Sequence, residues 1–275
     1  MIARPTLEKP HFIDRDANVI TDEIIDLYES LGNKKLYPAQ ADRLFIDVIA
    51  YREMLIRAQI QLACEQNLLA FADGVMLDYL GDFFGVIRLD DETDEQLRER
   101  IRLAPESYAT TGSRQAYIYH TLSTDSQIID ADALRDENGD IYIYVLTADG
   151  VVSNELVQRV LDKTSGEKVR PLSDRVFVSG GVASDFRLVV EISPLSQAVP
   201  SRVMAECQNK AEIYVSSLRQ KLGRDIVPSQ IIDALSGDGI WQVKVIEPAK
   251  PLILQAFEWA NCTEIVLTMG VIENG

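Results

Sequence analysis

Residues 38 to 72 run without an internal glycine, and within them Ala41, Val48, Leu55, Leu62 and Leu69 recur every seven residues. Leu44, Tyr51 and Ala58 flank that row on one side, and Ile49, Ile56, Ala63 and Ala70 on the other. The spacing predicts one long amphipathic helix. A seven-residue repeat held this long favours a left-handed supercoil with a partner helix. At 1.5 Å of rise per residue such a helix spans roughly 50 Å. Gly74 is placed to end it as a left-handed cap. A shorter helix over residues 23–31, capped by Thr21 or Asp22, precedes it and is too short to cover the whole seam. The expected partner-binding residues are therefore Leu44, Val48, Ile49, Tyr51, Leu55, Ile56, Leu62 and Leu69. The alternative is that this stripe faces the chain's own core.

After the long helix the pattern breaks into shorter pieces. Residues 75–84 present Leu77, Leu80 and Phe84 on one face; Gly81 permits close approach and Gly85 ends the helix. Thr93 and Gln96 fit a capping box that opens a helix over residues 94–103, before Pro105. Thr110, Thr111, Gly112 and Ser113 then break the chain and start a helix that runs to about Leu122. Beyond it, residues 126–131 and 141–146 read as strands around Asn138-Gly139, a hairpin signal because both positions tolerate positive φ. A helix from Ser153 and a strand over residues 174–182 follow. The last third reads as strand 186–192, helix 200–222, helix 228–235, strand 241–246 and strand 264–271, with Pro200 and Pro228 suited to first helical turns.

The predicted class is α+β: a long-helix bundle segment and a helical linker, then two small α+β domains. The expected divisions are residues 1–73 for the arm and long helix, 74–122 for the linker, and 123–182 and 183–275 for the two domains.

Charge narrows the partners. Lys plus Arg number 27 against 43 Asp plus Glu, a formal net charge of −16. No basic run is available to displace counterions from phosphates, so nucleic acid is not an expected partner, and the same acidity argues against an anionic membrane. No stretch of about 18 apolar residues predicts a membrane span, and the first residues lack an apolar signal core. Cytoplasmic synthesis is the simple expectation. Cys64, Cys207 and Cys262 lie far apart and are odd in number, which fits neither a disulfide framework nor a zinc site.

One stretch carries a resemblance. Gly74, Leu77, Asp78, Leu80, Gly81, Gly85 and Arg88, then Thr93, Arg98, Arg100 and Ile101, then Gly112, stand in the order of a signature of the baseplate J-like family. That pattern is a G-x-x-LD-x-LG block closed by a glycine turn and an arginine, followed by an acidic-Thr cap, an R-x-R-I helix and a threonine-glycine turn. The resemblance implies a wedge component of a contractile phage-tail or R-type bacteriocin baseplate, structural and without cofactor. It implies long N-terminal helices bundled with a smaller baseplate protein, and α+β domains that contact neighbouring copies and close a ring around the tail hub. The linker is a candidate hinge. The residues themselves predict an Asp78–Arg88 pair across the turn, and at most one of Arg98 and Arg100 buried, because they point to opposite sides of their helix.

No catalytic constellation emerges: the chain has no GxSxG, HExxH or P-loop, and Ser236 to Gly239 reads as a turn. His11 and His120 read as structural or solvated. The 136–140 loop places its glycine wrongly for calcium. Asp90, Asp91, Glu92, Asp94 and Glu95 read as a helix start favoured by the macrodipole, although a metal site or a catalytic pair is the sharper alternative. Two other function classes stay open. A tail-associated cell-wall hydrolase requires a buried acidic pair in a cleft. A stand-alone binding module requires a monomer that buries seam residues such as Leu55.

Overall fold

The computed structural model describes residues 7–32, 35–108, 112–166, 169–171 and 173–272. Thr110 and Thr111, expected in a helix-opening turn, lie outside them. The chain divides into two compact units, Met1–Arg88 and Leu89–Gly275. The first is helical and the second carries two small sheets, so the class is α+β.

In the first unit, α1 (Ala17–Gly32) packs against α2 (Ala41–Gln66), and α3 (Gly74–Phe83) follows. Helix α1 starts several residues before the expected cap: Thr21 lies inside it, its hydroxyl donating to the Ala17 carbonyl at 2.7 Å. The expected disparity with α2 also shrinks, to 16 residues against 26. Helix α2 ends at Gln66, not near residue 72, for a reason its periodicity cannot carry. The Gln66 amide donates to Asp73 at 3.0 Å and accepts the Asp73 backbone N–H at 3.1 Å, folding the chain back. Asn67 adds a side-chain bond to the Ala63 carbonyl at 2.7 Å. Gly74 has positive φ (48°) but opens α3 instead of capping α2.

Helix α3 buries Leu77 and Gly81, and it ends as the glycine spacing predicted. Val86 N–H reaches the Gly81 carbonyl and Gly85 N–H the Asp82 carbonyl, both at 2.9 Å, which is the Schellman pattern. The chain passes through Gly85 at φ 68°, a conformation that costs any L side chain strain.

The second unit opens on α4 (Asp94–Leu103), a 3₁₀ turn (Ala104–Tyr108) and α5 (Arg114–Leu122). Both sides of the predicted Thr93–Gln96 capping box are present. Strands β1 (Ile128–Arg135) and β2 (Ile141–Thr147) form an antiparallel hairpin. Its connection is not a two-residue turn. Asp136 N–H bonds to the Asp140 carbonyl across a three-residue loop, and only Gly139 takes positive φ (89°). The Asp136 carboxylate accepts the Asn138 and Asp140 amides, organising the loop.

Helix α6 (Asn154–Thr164) carries the chain over to β3 (Val176–Gly180), which pairs parallel with β2, giving the order β1-β2-β3. Alternation in β2 buries Ile141, Ile143 and Val145 against Leu103, Tyr117, Ile118 and Leu122 of the preceding helices, and Leu156 and Val160 of α6.

The second sheet is ordered β5-β4-β6, with β4 (Val182–Pro194) central, antiparallel to β5 (Ile240–Glu247) and parallel to β6 (Glu258–Met269). Strands β4 and β6 begin earlier than hydrophobic alternation suggested, because Val182 and Glu258 already pair in register. Helices α7 (Pro200–Arg219) and α8 (Pro228–Leu235) cover this sheet. In α7 the buried residues are Val203, Cys207, Ala211, Tyr214 and Leu218, one stripe at helical spacing. They meet Phe186, Leu188, Val190 and Ile192 of β4. Each fully buried aliphatic side chain here contributes about 1.5–3 kcal/mol over exposure.

Candidate assembly interface

Helix α2 has one covered face and one open face. On the covered face, Ile46 and Ala50 are buried, as is Ile20 of α1. Arg57, further along, bonds to Glu53, to Glu23 of α1 at 3.1 Å and to the Asp14 carbonyl at 3.4 Å. Gln61, only 3% exposed, continues the same face. Its amide accepts the Phe12 N–H at 2.9 Å and donates to the Pro10 carbonyl at 2.7 Å and to Glu65 at 2.9 Å. Every polar atom of that amide has a partner, so the N-terminal arm is held where α1 stops covering α2. Bonds from Gln61, and then from Lys9 at 3.1 Å, hold the Glu65 carboxyl below its ordinary value.

The opposite face is open and apolar. Leu44, Val48, Tyr51, Leu55 and Leu62 form one row, exposed from 38% (Leu55) to 68% (Leu44). Phe45, Ile49, Ile56 and Ile60 form a second row beside it, all exposed. Sequence reading found the first row and the Ile49–Ile56 part of the second; it missed Phe45, Ile60 and the role of Gln61. Leu69, expected as the fifth step of the heptad, lies beyond the helix end and is half-buried.

The signature residues act inside the fold. Leu77 and Gly81 are buried, Leu80 is half-buried, and Asp78 accepts Arg88 Nε at 2.7 Å, the pair expected across the glycine turn. In the second unit Ile101 is buried. A Cβ added at Gly112, where φ is 63°, would lie 2.6 Å from Pro171 Cδ.

One expectation needs correction here. Arg98 and Arg100 are both buried, at 7% and 5% exposure. Arg98 bonds Glu95 at 2.5 Å; Arg100 bonds both carboxylate oxygens of Glu92, at 2.8 and 2.7 Å, and Ser123 at 3.2 Å. Within the acidic helix start Glu92 turns inward: its side chain is 1% exposed, and it also accepts the Leu89 N–H at 2.8 Å. Only tertiary contact reveals this pairing, since the two residues carry no local motif.

No group of three or more His, Cys, Asp or Glu among the described residues is placed to hold a metal ion. None of the described helices is long and apolar enough to cross a membrane. The three cysteines are free. His120 is half-buried, and burial lowers its affinity for a proton.

Residues 44–90 match the baseplate J-like N-terminal domain, 109–180 the baseplate J-like central domain, and 187–268 the baseplate J-like protein C-terminal domain. The chain is 31% identical over 276 residues to Baseplate protein J of Escherichia phage P2, covering 94% of this chain and 90% of that protein. With three domains matched in chain order and one relative aligned over nearly the full length, the chain belongs to the baseplate J-like family.

Proposed function

We propose that this protein is a structural component of a contractile tail baseplate, acting as a wedge subunit through the open face of α2. The similarity to Baseplate protein J of phage P2 supports the coarser part, a structural baseplate role. The observation that carries the finer part is the two-sided character of α2: one face sealed by α1 and the arm, the other lined by two rows of exposed large apolar residues. Two adjacent rows suit two partner helices, as expected for a bundle shared with a smaller baseplate protein and with a second copy of this chain. The two small sheets are then available to neighbouring wedges and to closure of a ring around the tail hub. Synthesis in the host cytoplasm and assembly into the tail follow from the same reading.

The net charge of −16 favours a less acidic partner, because like charges across a large interface are unfavourable. Leu103, Tyr117, Ile118 and Leu122 belong to the core of the first sheet, so bending within residues 94–122 would open that core. The stand-alone module required Leu55 to be buried within one chain, and it is 38% exposed.

The test is the mass of the chain by light scattering after size exclusion, alone and co-expressed with the protein encoded beside it. A stable complex that disappears on deletion of residues 1–73 is expected. A compact monomer indifferent to its neighbour would reject the shared bundle.

A further inference from the structure

Family matching separates a central domain ending at residue 180 from a C-terminal domain starting at residue 187. Their junction is unusually tight. Strand β3 ends at Gly180 and β4 begins at Val182, so a single residue passes the chain from an edge of one sheet to the centre of the other. Gly181 N–H bonds back to the Val145 carbonyl of the first sheet at 2.8 Å, and Val182 N–H bonds to the Phe257 carbonyl at 2.9 Å. A hinge between domains needs slack chain with few crossing contacts, and here one residue separates two paired strands and its N–H is bonded.

Around that crossing lies a keyed contact centred on Trp259 of β6, which is 5% exposed. A Cβ added at Gly150, in the loop after β2, would lie 2.4 Å from Trp259 Cζ2, so the backbone of one sheet's loop rests on the ring of the other sheet. A Cβ at Gly181 would lie 2.8 Å from Leu222 Cδ2 and 3.3 Å from Trp259 Cδ1. The Arg219 guanidinium sits 5.2 Å from the Trp259 ring centre and donates to the Asp149 carbonyl at 3.0 Å. Beside this, Asp130 of β1, 5% exposed, accepts the Leu222 N–H at 2.8 Å and Lys221 Nζ at 3.2 Å. The turn after α7 thus plugs into the first sheet through the buried Asp130 carboxylate, and Arg219 at the end of α7 crosses to the loop after β2 through the Asp149 carbonyl, while Tyr144 and Phe257 meet with ring centres 5.2 Å apart.

We infer that the two sheets of the Leu89–Gly275 unit form one rigid body, locked by Trp259 against Gly150 and by Asp130 against the Lys221–Leu222 turn, and that this body moves and unfolds as a whole. The inference stands without the baseplate reading. Within that reading, it means that a force applied to either sheet reaches the other undiminished.

The test is hydrogen exchange on the full chain across a urea series, following amides of β1 and β2 and of β4 and β6. In the unaltered protein the two sets are expected to open at the same urea concentration. Gly150→Val drives a side chain into the Trp259 ring, and Asp130→Ala strips the Leu222 N–H of its acceptor. Each is expected to lower the midpoint of at least one sheet by about 0.5–1 M. Asp130→Ala is the informative variant if Gly150→Val does not fold. Separate opening of the two sheets in the unaltered protein would overturn the inference. So would a folded variant that leaves both midpoints unchanged.

Discussion

Replacing Arg100 with alanine tests how the second unit is held together at its start. The perturbation leaves the Glu92 carboxylate, 1% exposed, without the guanidinium that meets both its oxygens at 2.7 and 2.8 Å. It also takes the donor from Ser123. Removing one member of a buried ion pair costs about 3–5 kcal/mol, because the remaining charge is stranded away from water. The same principle says that replacing both members by apolar groups of similar size is far milder, so Glu92→Leu combined with Arg100→Met should recover most of the loss. Urea unfolding followed by circular dichroism measures both. With a slope of about 2–3 kcal/mol per molar, the single variant should lower the midpoint by roughly 1–2.5 M. A single-variant loss below about 1 kcal/mol would refute the reasoning, as would a double variant worse than the single, since either result means that the pair is not desolvated as its burial indicates.

Three further outcomes follow from local structure. Gly85→Val should destabilise the first unit by about 1–2 kcal/mol, the usual cost of forcing an L residue to positive φ; a Cβ there meets nothing within 4 Å, so unchanged thermal stability would contradict the conformational argument. Thr93→Ala should cost about 1 kcal/mol through loss of the capping box of α4, seen as a lower urea midpoint; Thr93→Ser should restore most of it. Burial, and then Lys163, lower the pKa of His120 below its ordinary 6.5. Its contribution to stability is therefore complete above that value and is lost as pH falls, because the unfolded chain takes up the proton first. The midpoint of the unaltered protein should drop relative to His120→Gln between about pH 7 and about pH 5.5, and parallel curves would remove His120 from the account.

Sequence reading succeeded where a signal is local and failed where a partner is distant. The capping box at Thr93, the prolines that open α7 and α8, and the glycine turn at Gly85 each act within a few residues, and each is where the pattern put it. Gln66 carries no helix-stop signal; its reciprocal bonds to Asp73, with the Asn67 side chain on the Ala63 carbonyl, end α2. Arg98 and Arg100 point in different directions from one helix, which suggested that only one is buried. The chain instead wraps α4 closely enough to bury both. The early start of β6 was hidden because Trp259 and Ala260 are buried while Asn261 and Cys262 break the alternation. On α2 the heptad identified the first open row and part of the second, but the packing of α1 and the arm bonds of Gln61, both tertiary, decide which face is closed.

The open face of α2 is the centre of the account, and one measurement tests it directly. Leu55 and Val48 are already exposed, so Leu55→Glu with Val48→Glu should leave the isolated fold intact. Light scattering of this variant, co-expressed with the protein encoded beside it, should give a monomer of 30.8 kDa with an unchanged thermal midpoint, where the unaltered chain is expected to give a larger complex. A variant that still forms that complex would contradict the account.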